Sequence, residues 1–147
     1  MLKRYLPLIV LVVIAVSCSK DKYQTKPSIE IKSVNGSEFF GNQEIIINFD
    51  FTDEEGDVGG GELRYFRNRL NVFWPVLQNN EQADTIRYTI PTFPKTTSGE
   101  FQLKIPASFL NENAVQNDTV EFKVVVQDLA GNVSDTIKTP VFIDITQ

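Results

Sequence analysis

Residues 44–52 read Glu44-Ile45-Ile46-Ile47-Asn48-Phe49-Asp50-Phe51-Thr52. Ile45, Ile47, Phe49 and Phe51 alternate with Ile46, Asn48, Asp50 and Thr52, and a period of two places one set on each face of an extended chain. One face is apolar and large, the other mostly polar. That is a strand with one side buried, and the same pattern recurs outward in both directions. Ile29 and Ile31 alternate with Glu30 and Lys32. Downstream come Ile86, Tyr88 and Ile90; Phe101, Leu103 and Ile105; Phe122, Val124 and Val126; then Ile137, with Val141 and Ile143 beyond Pro140, where pairing shifts or ends. Leu63 to Leu77 is less regular but holds Tyr65, Phe66, Val72, Phe73 and Trp74. No window of eleven residues has helical spacing, although 107–114 can form one short helical turn after Pro106.

Strands are therefore expected at 28–34, 44–52, 63–77, 85–91, 100–105, 119–128 and 133–145, joined by Gly, Asn, Asp and Pro turns. Seven short strands in residues 28–147 describe an all-β chain. It reads as a single immunoglobulin-like antiparallel β-sandwich, with Ile47, Phe49, Phe51, Phe101, Leu103, Phe122, Val124 and Val126 facing one core. Trp74 is placed as a core residue of the third strand; with one Cys in the chain, no intrachain disulfide can join the sheets.

Ahead of the strands, Lys3 and Arg4 precede an apolar run from Leu6 to Val16, which is shorter than the roughly 20 residues a spanning helix needs. This reads as a secretion signal. Ala15-Val16-Ser17-Cys18 resembles the lipobox of bacterial lipoproteins, departing from it at Ala15 where the family usually has Leu. The resemblance implies a signal peptide at 1–17, a Cys18 that is diacylated and becomes the new N-terminus, and a flexible tether at 18–27 before the domain at 28–147. Two acyl chains anchor stably where one does not. Lys20-Asp21 partly resembles the signal that sends lipoproteins of Bacteroidota to the cell surface, so the expected location is the outer membrane, on its periplasmic or outer face.

Across the sixth connection, Asp128-Leu129-Ala130-Gly131-Asn132 is similar to the Asp-x-x-Gly-Asn corner of bacterial extracellular immunoglobulin-like and cadherin-like domains. Together with the lipobox it resembles a small Bacteroidota-type surface lipoprotein. Asp84-Thr85-Ile86, Asp118-Thr119-Val120 and Asp135-Thr136-Ile137 are also similar to the motif at which exported proteins of that group are O-glycosylated, and equally to ordinary turn-to-strand junctions.

Composition narrows the chemistry. There is no His, so no Ser-His-Asp or Cys-His site and no His-ligated zinc. A net charge of −5 and a pI near 4.7 argue against nucleic acid. Removal of 1–17 leaves 12 basic and 19 acidic side chains, a charge of about −7.

The densest chemistry is Asp53-Glu54-Glu55-Gly56-Asp57-Val58-Gly59-Gly60-Gly61-Glu62, five carboxylates that repel unless solvated, protonated or bridged. A sandwich brings this connection to the same end as the Asp128 corner. Asp53, Glu55, Asp57, Asp128 and Asn132 are thus a candidate calcium site, with plain solvated surface as the alternative. Their spacing does not match an EF-hand. Catalysis by a carboxylate pair is not expected, since little nearby is apolar enough to raise one pKa. A second candidate binding surface is Arg64, Tyr65, Arg67 and Arg69 with Trp74, where guanidinium groups alternate with aromatics; alternatively these Arg side chains pair with the neighbouring acids. The expected function is a non-catalytic, membrane-anchored binding or structural module of the cell envelope with a protein or glycan partner. The alternative is an accessory glycan-binding subunit of an outer-membrane nutrient-uptake complex.

Overall fold

The structure is a computed structural model that describes residues 25–71, 85–110 and 117–145. Among the described residues nine strands follow one another: β1 (Ser28–Val34), β2 (Glu38–Phe40), β3 (Glu44–Thr52), β4 (Glu62–Arg69), β5 (Thr85–Thr89), β6 (Ser98–Pro106), β7 (Asp118–Gln127), β8 (Ile137–Lys138) and β9 (Phe142–Ile145). They form two layers. One sheet has the order β1-β3-β6; the other has the order β2-β9-β7-β4-β5, with β8 also on β7. Neighbours pair antiparallel except β2, which runs parallel to β9.

This is an all-β, immunoglobulin-like sandwich. Its core is where the alternation placed it. Ile45, Ile47, Phe49 and Phe51 from β3 face Leu63 and Tyr65 from β4 and Val120, Phe122, Val124 and Val126 from β7, all buried. Leu103 is buried on the same side of β6, and Phe101 packs against the cluster half-buried, its ring stacked on Phe49 at 5.1 Å.

Several boundaries differ from the sequence expectation. Three-residue β2 was not foreseen, because Glu38-Phe39-Phe40 is too short to display a period; Phe39 alone turns inward. The last expected strand, 133–145, is broken. Val133 makes one isolated bridge to Gln127, β8 pairs at Lys123 and Val124, and β9 resumes after Pro140, which has no N–H to offer the ladder. The helical turn after Pro106 is a 3-10 turn, Ala107–Phe109. The third expected strand runs as β4 and ends at Arg69, with Leu70 and Asn71 outside any strand; residues 72–77, with Trp74, lie outside the described residues.

The register also fixes which loops share an end. Ser28 and Ser98 both pair with Thr52, and Glu62 pairs with Gln127 and Thr89. The connections 53–61, 90–97 and 128–136, together with the start of β1, therefore lie at one end of the sandwich.

Candidate metal centre

On β3 the inward positions are odd, and the residue one step past Phe51 on that face is Asp53. On β7 they are even, and the next after Val126 is Asp128. Both strands thus carry a carboxylate off the end of their apolar stripe, so both are buried, at 3% and 4% exposure. The loop after β3 then folds back. Gly56 N–H donates to the Asp53 carbonyl (3.2 Å) at φ 68°, and Asp57 N–H donates to Asp53 Oδ2 (2.9 Å). Leu129 N–H donates to the Asp57 carbonyl (3.2 Å) and ties this loop to the β7–β8 corner.

Asp53, Asp57 and Asp128 each place a carboxylate oxygen so that all three lie within 4.8 Å of one another. At an effective dielectric near 20, two unit charges at that distance repel by about 3 kcal/mol. Burial, then Asp128, then Asp53 push the Asp57 carboxyl above the usual carboxylate range. Asp53 Oδ1 and Asp57 Oδ1 are buried and, among the described residues, have no hydrogen-bond partner. Such orphan oxygens cost free energy unless a proton or cation meets them.

The remaining two expected ligands behave differently. Asn132 donates its backbone N–H to Asp128 Oδ1 (2.8 Å) and its side-chain Nδ2 to Oδ2 (2.9 Å), so it orients Asp128. Gly131, at φ 93°, makes the corner that allows this. Glu55 is exposed and stands outside the cluster, because Gly56 turns the chain between it and Asp57.

The Arg and aromatic surface needs correction. Tyr65, Arg67 and Arg69 do share a face of β4, but it is the inner one: Leu63 sets the parity and all three are buried. Tyr65 meets Phe122 edge-on at 5.4 Å, and burial then pushes its phenol up. Arg67 donates to the Phe109 carbonyl (2.7 Å) with its guanidinium 4.6 Å from the Phe109 ring. Only Arg64 faces outward, beside Glu62 (2.6 Å). Tyr65 is therefore no stacking platform for a sugar, and Trp74 lies outside the described residues. Of the three Asp-Thr motifs, Thr136 is exposed, whereas Thr85 and Thr119 are half-buried strand positions.

The opposite end of the core carries a second polar layer that sequence reading missed. Asp118 on β7 and Asp144 on β9 are register partners, both 1% exposed, with Arg67 and Arg69 on the same inner face. Burial, then the Asp118 charge, raises the Asp144 carboxyl above its ordinary range. The native state therefore binds that proton more tightly than the unfolded chain does. The resulting stability is complete below the unfolded value of about 3.9 and is lost as pH rises through the raised folded value. Asp144→Asn, which cannot ionise, should gain stability relative to the wild type as pH rises from about 3 to about 7. Urea unfolding across that range checks it; a difference that does not vary with pH would show that Asp144 titrates normally.

No family description matches the chain, and no curated protein matches it. Among solved structures, Spo0M, a sporulation control protein of Bacillus subtilis, is similar at 10% identity and TM-score 0.46, over 83% of this chain and 50% of that one. This chain thus spans about half the length of Spo0M. A Niemann-Pick type C2 protein from the Japanese carpenter ant is similar at 14% identity and TM-score 0.42, over 80% and 89%. The PmoD soluble domain from a Methylocystis species is similar at 18% and 0.36, over 81% and 90%. These likenesses are too distant to transfer any ligand or activity.

Proposed function

We propose that this chain is a non-catalytic module of the cell envelope, held to the outer membrane by acyl chains on Cys18, whose loop end is cross-linked by a calcium ion. The observation that supports it most is the meeting of carboxylate oxygens of Asp53, Asp57 and Asp128 within 4.8 Å, where Asp53 is buried and its Oδ1 has no hydrogen-bond partner among the described residues. Hard carboxylate oxygens in a flexible, glycine-rich loop suit calcium, which accepts six to eight oxygens in irregular geometry; magnesium demands a tight octahedron. An ion there would join the β3–β4 loop to the β7–β8 corner and offset three mutually repelling charges. Among the described residues no helix is long and apolar enough to cross a membrane, and a lipid anchor needs none.

Thermal unfolding tests the reading. A ligand bound only by the native state stabilises it by about 2.7 kcal/mol at a hundred times its Kd, so millimolar calcium should raise Tm by several degrees, and magnesium by less. Asp57→Asn should respond to neither. In chelator it should be more stable than the wild type, because it loses repulsion without losing shape. An unchanged wild-type Tm with calcium would leave the cluster as a proton-sharing carboxylate group and sink the proposal.

A further inference from the structure

The start of β1 and the carboxylate cluster lie at the same end of the domain. Ser28 is the register partner of Thr52, the residue before Asp53, and Lys26 reaches Asp135 in the β7–β8 connection through an ion pair. If Cys18 is the anchored N-terminus, as proposed above, residues 18–24 are all that separates the bilayer from this end. Seven residues span at most about 25 Å even fully extended. The nine-residue strands β3 and β6 run about 30 Å the other way. The tether thus makes the cluster the membrane-near end and leaves β2 and the far loops distal.

That end has an unusual surface. Leu129 is 64% exposed and Val133 39% exposed, both in the connection that carries Asp128, and Leu129 is hydrogen-bonded through its N–H to Asp57. The same end carries the exposed acids Glu54, Glu55 and Asp135 and, among the described residues, the cations Lys26 and Lys95. Without an ion, the cluster and its acidic rim oppose an anionic bilayer. With calcium the balance changes by two charges. Three carboxylates, two of them deeply buried, leave part of a six-to-eight-oxygen shell to be filled from the side of half-exposed Asp57. Phosphate oxygens of a headgroup are hard, anionic and of the right class.

We infer that this end, loaded with calcium, docks onto the anionic phospholipid surface that carries its own anchor, the ion sharing its open positions with headgroup phosphate while Leu129 and Val133 enter the interface. The inference rests on the calcium and lipid-anchor reading above. Its consequence is posture: calcium lays the module against the membrane, and calcium removal lets it stand away on its tether.

The test uses the full lipidated chain in phosphatidylglycerol-containing vesicles and in purely phosphatidylcholine vesicles. Cys18 is the chain's only cysteine and its sulfur would be acylated, so Leu129→Cys supplies a unique thiol for an environment-sensitive dye. Ser37→Cys, exposed at the far end, is the control. Calcium should shift the Leu129→Cys emission to the blue on anionic vesicles only, reversibly with chelator. The shift should vanish with Asp57→Asn and be absent at Ser37→Cys. If calcium raises the Tm of the labelled protein but leaves its emission unchanged, the ion binds and the docking inference is overturned. A shift that persists in chelator or with Asp57→Asn also overturns it. No Tm response and no emission response would remove the calcium reading and the inference together.

Discussion

Gly61→Ala should cost the domain about 3 kcal/mol or more and lower its urea midpoint well below that of the wild type. Gly61 stands just before β4, where that strand begins to pair with β7. A Cβ placed on it would lie 2.1 Å from the Gln127 carbonyl oxygen, 3.0 Å from the Val58 carbonyl oxygen and 3.1 Å from the Asp128 Cα. All three are backbone, so no rotamer change relieves them. β4 must move off β7, which strains the Glu62–Gln127 pairing and the bonds from Gly61 N–H to Val58 O (3.0 Å) and from Ile90 N–H to Gly61 O (2.9 Å). Overpacking of side chains costs about 1–3 kcal/mol; a clash between backbones that cannot yield should reach or exceed the top of that range. Small domains have only about 5–15 kcal/mol in total. Gly41→Ala is the control, since a Cβ there meets nothing within 4 Å and should change stability by less than about 0.5 kcal/mol. Urea unfolding of the pair decides it: comparable midpoints would mean that β4 and β7 do not approach so closely.

The same geometry explains what could be read from the sequence and what could not. Alternation carries parity, and parity alone placed Ile47, Phe49 and Phe51 opposite Phe122, Val124 and Val126. Followed one step further, it also places Asp53 and Asp128 inward, and Asp118, Arg67 and Arg69 inward at the other end. In β9 it points the wrong way, since the apolar pair Val141 and Ile143 suggests one face whereas Phe142 and Asp144 are the buried positions and Val141 is exposed. Composition gave the opposite impression, because charged residues near loops are usually solvated. Tyr65, Arg67 and Arg69 show the cost of reading composition first: their alternation was seen and their direction was not, although Leu63 two residues earlier sets it. Glu55 shows the limit of sequence proximity, since one glycine at positive φ separates it from Asp57. Pairings between distant strands carry no local signal. The parallel contact of β2 with β9 and the place of β5 beside β4 come from packing, which a period of two does not encode.

The other large effect expected is at the centre of the core. Phe122 is fully buried on β7, a strand with partners on both sides, and its ring meets Tyr65 edge-on at 5.4 Å and Phe142 at 5.8 Å. Its backbone N–H is satisfied by Thr139 Oγ1 at 2.9 Å, so truncating the side chain leaves the ladder intact and isolates the packing term. Phe122→Ala removes the ring and leaves a cavity that the surrounding strands cannot close, at a cost of about 3–5 kcal/mol. Phe122→Leu, which keeps much of the volume, should recover part of that loss. Phe66→Ala, on the outward face of the neighbouring strand and 36% exposed, should cost no more than about 1 kcal/mol. Because Phe122 lies mid-strand, away from the carboxylate cluster, the calcium response of a folded Phe122→Leu variant should match that of the wild type. A Phe122→Ala protein as stable as Phe66→Ala would mean that β7 presents its odd positions inward. That reversal would also turn Asp118 and Asp128 out to solvent, removing both polar layers from the ends of the core.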